Sequence, residues 1–224
     1  MVIISIDMSA KRTFTEEEKK QISEAVKDLE GSTSGELVPY YVSQSDSYEE
    51  ASWYLAAMLG AITVIIFGVM SYFWLIPFRI TPLELAIAIF IWMVIGYAIP
   101  KLFPQTKRML ISRQKMLDRV SRKSEELFLK EEIFNTGDRI GILMFVSQLE
   151  HMVIVLGDKG INEKLKASDW EHVVNTILTG IKNKQLVKGL VEAIEECKQL
   201  LLDSGFNNVP KDRNELSDDL RIGD

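Results

Sequence analysis

Two long apolar runs interrupt a chain in which polar and apolar residues otherwise alternate at helix and strand spacing. Residues 53–76 form an uncharged run of 24 residues, and residues 85–100 form a second one of 16 residues. At about 1.5 Å per helical residue these runs measure roughly 36 and 24 Å, against a hydrocarbon core of about 30 Å. Glu84 and Lys101 flank the shorter run and can extend their charged ends toward the interface. The pattern predicts a two-helix transmembrane hairpin over residues 53–103.

The charges beside this hairpin predict its orientation. Residues 77–82 contain prolines at both ends and are long enough only for a turn, so both flanks of the hairpin lie on one side. Residues 101–120 carry six Lys or Arg residues, whereas the turn carries only Arg79. Because positive loops stay on the cytoplasmic side, both termini and the soluble parts are expected there.

Before the hairpin, the pattern predicts one helix and one strand. Thr15 and Glu18 have the spacing of a capping box, and Gly31 ends the apolar period that follows. Residues 36–43 read as a strand, and Pro39, which lacks a backbone donor, predicts an edge or a bulge.

After the hairpin, helical spacing covers residues 108–132, and apolar runs at 140–146 and 151–156 predict an antiparallel strand pair. Ser168 and Glu171 have a second capping-box spacing, and a last helix is expected over residues 185–202.

This order of elements predicts an α/β protein in which a three-layer α/β/α domain with a mixed sheet is interrupted by the transmembrane hairpin. The predicted parts are residues 1–52 with the first helix and strand, 53–103 with the hairpin, 104–206 with the rest of the domain, and 207–224 as a loosely held polar tail. The first residues contain no basic segment ahead of an apolar core, so no cleaved signal peptide is expected.

Composition excludes some classes of function. The net charge is −6 and no basic patch is interleaved with aromatic residues, so nucleic acid is not expected as a partner. Cys197 is the single cysteine and falls on the apolar face of the last helix, where core packing is expected. His151 and His172 are interpreted as surface or boundary residues. Gly60, Ala61 and Gly68 place small residues in the first apolar run, which allows a homo-oligomer through the hairpin.

No phosphate loop, zinc motif or nucleophile elbow occurs, so catalytic residues stay unknown and an enzyme is the less favoured class. Oxygen-bearing side chains follow two predicted strands and open a helix. Ser43, Ser45 and Asp46 follow the first strand, Asp158 follows the third, and Asp169 opens the next helix. Such oxygens can converge on a hard cation, so Asp46, Asp158 and Asp169 form a candidate Ca²⁺ site, with caps and turns as the alternative.

Several segments together resemble the TPM domain family, in particular its bacterial membrane members. The matching segments are Phe14-Thr15-Glu16-Glu17-Glu18, Ser34-Gly35-Glu36-Leu37-Val38, Arg139-Ile140-Gly141-Ile142-Leu143-Met144-Phe145-Val146-Ser147, Glu150-His151, Gly157-Asp158-Lys159-Gly160-Ile161 and Asp212-Arg213-Asn214-Glu215-Leu216. The family's tail motif usually continues with Pro, whereas Ser217 follows here, and the hairpin lies inside the domain. The resemblance implies a sheet between helices, a bacterial inner membrane location and either acid phosphatase activity or accessory roles in membrane complexes, with calcium binding in some members.

Three functional hypotheses follow. The favoured one is a non-enzymatic accessory or assembly factor that is anchored in the bilayer and contacts another membrane protein. The second is a metal-dependent phosphatase-like hydrolase at the membrane surface, and the third is a calcium- or lipid-responsive module. For the third hypothesis, the basic run 107–123 could bind anionic headgroups, although it also serves as an orientation signal.

Overall fold

The computed structural model describes residues 13–73, 81–207 and 216–223. They form a mixed α/β protein with a four-stranded mixed sheet and two long apolar helices. The chain divides into two compact units, one of residues 1–45 with 118–224, and one of residues 46–117. The second unit therefore begins seven residues before the predicted hairpin and ends fourteen after it, because short flanking segments pack with the two apolar helices.

The helices and strands follow the predicted order, with additional short elements. They are α1 Glu16–Ser32, β1 Glu36–Val42, α2 Glu49–Tyr72, α3 Pro82–Leu102, α4 Gln105–Leu110, α5 Arg113–Lys130, β2 Gly141–Ser147, β3 Met152–Gly157, α6 Lys159–Asn162, α7 Trp170–Lys182, α8 Leu186–Asp203 and β4 Arg221–Gly223. The sequence pattern did not predict α4, α6 or β4, each of which is too short to show a period.

The sheet has the strand order β3-β2-β1-β4. Strands β1 and β2 run parallel, with Glu36 opposite Gly141 and Val42 opposite Ser147. The predicted antiparallel pair is confirmed, because β2 and β3 run in opposite directions. Strand β4 lies parallel to β1, with Tyr40 opposite Arg221. The prediction of a loosely held tail is therefore wrong for residues 221–223, which form part of the sheet.

Pro39 lies in an interior strand, yet it removes no hydrogen bond that the described sheet requires. Strand β4 pairs only with residues 40–42 of β1, so Pro39 lies beyond the paired stretch on that side. The prediction of an edge strand is therefore wrong for the strand as a whole, but the missing donor falls where β1 has no described neighbour.

Both faces of β1 and β2 are buried, as expected for strands with continuous apolar runs. On one face, Leu37 and Tyr41 of β1 belong to the core cluster that includes the apolar sides of α1, α7 and α8. Val26 of α1, Ile177 of α7 and Ile194 of α8 are fully or almost fully buried in that cluster. Helices with polar outer sides therefore cover this face of the sheet.

Within the second unit, α2 and α3 pack closely through small residues. A Cβ atom on Gly96 would lie 2.8 Å from the Cα atom of Ala56, so the two backbones are nearly in contact. Gly60 lies against Met93 and thus contributes to packing within the helix pair, whereas Gly68 has no atom within 4 Å of an added Cβ. Of the small residues predicted to allow a homo-oligomer, Gly60 therefore packs against α3 of the same chain.

The helix starts show one confirmed and one wrong capping prediction. Thr15 accepts from the backbone of Glu18, whose carboxylate accepts in turn from the Thr15 backbone, so the first capping box is confirmed. The second prediction is wrong. The segment Ala167–Asp169 forms a 3-10 turn in which the Asp169 carboxylate accepts from the backbone of Lys166 at 2.8 Å. Asp169, rather than Ser168, therefore caps the 3-10 turn that precedes α7.

Candidate functional site

A buried polar network lies at the carboxyl ends of the parallel strands β1 and β2. We call it the carboxyl-edge cluster; its members are Tyr41, Ser45, Ser147, Gln148 and Glu150. The Ser45 amide donates to Glu150 Oε1 at 2.8 Å, and the Ser45 and Ser147 hydroxyls lie 2.8 Å apart. The Ser147 hydroxyl donates to Glu150, and the Tyr41 hydroxyl donates to Gln148. Ligand sites of parallel sheets form at this kind of edge.

Backbone hydrogen bonds place these side chains together. Strand β1 continues past Val42 beside the turn that follows β2, since the amides of Gln148 and Leu149 donate to the carbonyls of Val42 and Ser43 at 3.0 Å each. The turn closes with His151, whose φ of 54° is in the left-handed region. This positive φ reverses the chain and aims Glu150 back at the strand ends.

The carboxyl-edge cluster is closed rather than open to a ligand. Glu150 is 3% exposed and Ser147 is 1% exposed, and the oxygens of the Glu150 carboxylate accept from Ser45 and Ser147. A carboxylate with bound donors on both oxygens is a poor general base, because a proton arriving there must displace a hydrogen bond. The arrangement fits a structural clamp between two strand ends more closely than a catalytic group.

The predicted carboxylate Asp158 is engaged in an ion pair. Arg139 donates from Nε and Nη2 to the two Asp158 oxygens, at 2.5 and 2.9 Å. Burial by itself would raise the pKa of Asp158, but the hydrogen bonds from Arg139 and the Lys159 backbone outweigh it, so the pKa lies below its ordinary value. Arg139 has a φ of 58°, so the pair fixes a left-handed residue at the entrance to β2.

Ser45 and Asp158 lie at opposite ends of the strands: Ser45 is near the carboxyl end of β2, and Asp158 is near its amino end. Because β3 is antiparallel to β2, its carboxyl end lies at the amino end of β2, where Gly157 is opposite Ile142. Ser147 ends β2 at the other edge, about 17 Å away for five residues at ~3.3 Å each. The interpretation that the oxygens after β1 and β3 converge is therefore wrong for Ser45 and Asp158.

The other two predicted ligands act as local caps. Asp46 Oδ1 accepts from the Tyr48 amide at 3.0 Å, and Asp169 accepts from the Lys166 amide. Across residues 13–73, 81–207 and 216–223, no group of three or more His, Cys, Asp and Glu side chains is arranged to hold a metal ion. Binding of Ca²⁺ at Asp46, Asp158 and Asp169 stays a prediction.

The predicted exposure of the two histidines and the cysteine is confirmed for His172 and Cys197 but not for His151. His172 is 82% exposed in its side chain, as interpreted from the sequence, whereas His151 is buried, so that interpretation is wrong for His151. Cys197 is fully buried in the core as expected, and burial raises the pKa of its thiol to about 12.

A second group of carboxylates, which the sequence pattern did not indicate, lies at the amino end of β1. Glu30 of α1 accepts from the Leu37 amide at 3.1 Å and is hydrogen-bonded to Asp218. Glu36, the first residue of β1, accepts from the Leu216 amide at 3.3 Å. Burial, the hydrogen bond to Asp218 and the charge of Glu36 raise the pKa of Glu30 to about 9. The group ties the segment before β4 to α1 and β1.

Comparisons with known proteins support the fold alone. No protein-family model and no curated protein matches the sequence. The structure is similar to the NMR structure of BA42 protein from the psychrophilic bacterium Bizionia argentinensis, with a TM-score of 0.58 and 19% sequence identity. The match covers 95% of this chain and 97% of that chain. The protein is therefore of the mixed α/β class, and two of its helices are long and apolar enough to cross a membrane.

Proposed function

We propose that this protein is a membrane-anchored TPM-like domain that serves as a non-enzymatic accessory or assembly factor for a membrane protein complex. The observation that carries the proposal is the uncovered apolar surface of α2 and α3. Only 17% and 6% of the residues in their most apolar 18-residue windows are buried within the protein. A core helix of a soluble protein buries its apolar side chains, whereas these two helices leave most of theirs exposed, except where the two helices pack on each other.

The exposed residues have the size and chemistry of a lipid-facing surface. Large apolar side chains at least 39% exposed on these two helices include Ile65, Ile66, Val69, Ile87, Phe90, Ile91, Val94 and Ile95. At about 25 cal/mol per Å² of apolar surface, leaving this many side chains in water is strongly unfavourable. A bilayer removes that surface from water, and helix pairs satisfy all their backbone groups inside it.

Aromatic and basic residues gather at the end of the pair that joins the flanking segments. The rings of Trp53 and Tyr97 lie 5.0 Å apart, and Lys101 Nζ lies 4.5 Å from the centre of the Tyr97 ring. Lys115 Nζ lies 5.9 Å from the centre of the Tyr54 ring. Aromatic rings and lysines are typical of the headgroup level, so this end supports a cytoplasmic interface in a bacterial inner membrane.

Cysteine labelling of the full chain in intact cells tests this topology. We expect an Arg79→Cys variant to react with a membrane-impermeant maleimide from outside the cytoplasm. An Asp203→Cys variant, at the exposed end of α8, should react only after permeabilisation. The native Cys197 is buried and serves as an unreactive background. Labelling of Asp203→Cys in intact cells, or release of the protein by alkaline carbonate, would contradict the anchored topology.

An α/β/α arrangement also underlies the proposal, as the TPM resemblance implies. Val38 and Tyr40 of β1 are buried on the face opposite the main cluster, and Val120 and Leu127 of α5 are buried as well. We infer that α5 covers this second face, which would complete three layers.

The accessory role is favoured over hydrolysis by the state of the polar residues. Asp158 is held by Arg139, and Glu150 is held by Ser45 and Ser147, so neither carboxylate is poised as a nucleophile or base. Phosphomonoester turnover that is lost on changing Asp158 and Asp169 to Ala would instead favour the phosphatase-like alternative.

Crosslinking in the membrane tests for a protein partner. A photoreactive amino acid placed at Phe90, whose side chain is 68% exposed, should give a discrete adduct with another membrane protein. The same group at Ile177, in the buried core, serves as the matched control and should give none. Absence of any discrete adduct at Phe90, and of any copurifying protein after mild solubilisation, would contradict the accessory role.

A further inference from the structure

Strand β3 forms one outer edge of the sheet in the described part of the chain, and it contains no charged residue and no proline. Strand β3 is at the end of the order β3-β2-β1-β4 and reads Met-Val-Ile-Val-Leu-Gly. Proteins usually protect such an edge with charges, proline or a cover, because an open apolar edge recruits other strands. Strand β3 contains neither a charged residue nor a proline.

The register identifies the backbone groups at the open edge. The Asp158 amide donates to the Gly141 carbonyl at 2.9 Å, and alternation along an antiparallel ladder then turns Ile154 and Leu156 toward β2. The N–H and C=O groups of Val153 and Val155 point away from the sheet. Within the described parts of the chain, those four groups have no hydrogen-bond partner. Asn162 Nδ2 donates to the Gly157 carbonyl at 2.5 Å, which closes the edge at that end.

A groove of about 400 Å³ runs along this edge. One wall is made by Trp170 and Val174 of α7, and Ser121 of α5 lies on the lining as well. Helical residues at the walls leave room for one extended segment beside β3. The edge strand of a second copy would arrive with its own flanking helices, which the walled groove does not accommodate.

We propose that residues 2–7 of this same chain occupy the groove and pair antiparallel with β3 as a fifth strand. The segment Val2-Ile3-Ile4-Ser5-Ile6-Asp7 has the six-residue length of β3 and is rich in β-branched residues. Residues 1–12 lie outside the described structure.

Side-chain alternation fixes the register. Val2, Ile4 and Ile6 share one face of an extended segment, and the wall formed by α7 offers the apolar side chains of Trp170 and Val174 beside the exposed Glu171. Val153 belongs to the main cluster on that same side of the sheet, and Val155 packs against it. Directly opposed residues point to one face, which places Ile6 opposite Val153, Ile4 opposite Val155 and Ser5 opposite Ile154.

The connection to the described chain is long enough. Phe14 packs edge-on against Tyr41 of β1, with ring centres 4.9 Å apart. A new strand beyond β3 would lie three strand spacings from β1, or about 14 Å at ~4.8 Å each. The seven steps from Asp7 to Phe14 reach up to about 23 Å at ~3.3 Å each, and the antiparallel direction brings Asp7 to the near end of β3.

A disulfide pair in the full chain, kept in detergent micelles, tests the register. In the proposed ladder, Ser5 and Ile154 form a non-hydrogen-bonded pair with Cα atoms about 4.5 Å apart, inside the range for a disulfide. We expect the variant Ser5→Cys with Ile154→Cys to form this bond within one chain under mild oxidation. The matched control Ile4→Cys with Ile154→Cys, one residue out of register, should form at least tenfold less. Cys197 can remain because its thiol is buried.

Hydrogen exchange on the same protein gives an independent measurement. Deletion of residues 2–7 should speed the exchange of the Val153 and Val155 amides by at least about tenfold. The Ile154 and Leu156 amides, which face β2, are the internal control and should change much less. Unchanged exchange at Val153 and Val155 would overturn the proposal, as would a disulfide formed only between two chains, which would indicate that a second copy covers the edge.

Discussion

The partly buried carboxylate Glu30 is expected to make the stability of this protein fall as the pH rises. Its ordinary pKa is 4.5 and its value in the folded protein is about 9, so the folded state holds a proton that the unfolded state has released throughout that interval. By linkage, the free energy of unfolding declines by up to about 1.4 kcal/mol per pH unit in this window. From pH 5 to pH 8 the upper limit is about 4 kcal/mol, and partial solvent access reduces the expected decline to about 2 kcal/mol.

The variant Glu30→Gln removes this proton while keeping the size of the side chain. Its amide oxygen can still accept from the Leu37 backbone, and its NH₂ group can donate to Asp218. We expect the variant to gain about 2 kcal/mol relative to the wild type between pH 5 and pH 8, from the linkage above. Urea unfolding of the full chain in detergent, at several pH values, measures this difference.

The exposed residue Glu24, on the same helix, supplies the control for that experiment. Its side chain is 65% exposed, so Glu24→Gln should leave the pH profile of the wild type unchanged. If Glu30→Gln and the wild type lose stability in parallel from pH 5 to pH 8, then Glu30 is not the group that binds the proton, and the reasoning is refuted.

Three further predictions concern packing and hydrogen bonding. Gly96→Ala should lower the melting temperature of the full chain in detergent because its Cβ would collide with a neighbouring helix, whereas Gly68→Ala, where the space is open, should not. Ser147→Ala should destabilise the fold by about 1–3 kcal/mol in urea, since the buried Glu150 carboxylate loses the hydrogen bond from the Ser147 hydroxyl; an unchanged midpoint would contradict the clamp. Gly31→Ala should instead stabilise the protein by about 0.5 kcal/mol in the same assay, because Gly31 is helical and an added methyl group meets nothing within 4 Å.

The amino-acid pattern alone was sufficient for the elements whose determinants lie close together in the chain. The apolar runs of α2 and α3, the capping box at Thr15 and the antiparallel pairing of β2 with β3 all depend on residues within one helix or one hairpin. Hydrophobic period, cap chemistry and a short turn are local properties, so a reader of the sequence can detect them.

Contacts between distant segments were decided by the tertiary structure. Ser45 meets Glu150 across 105 residues, and Glu36 meets Leu216 across 180, yet none of the four residues has a neighbour in sequence that reveals its partner. The three residues of β4 are too few to show the alternation of a strand. They form one because the backbone of β1, on the side away from β2, offers hydrogen-bonding groups to pair with. The antiparallel direction of β3 also separated Ser45 from Asp158. The direction of a strand determines at which end of the sheet the residues that follow it lie.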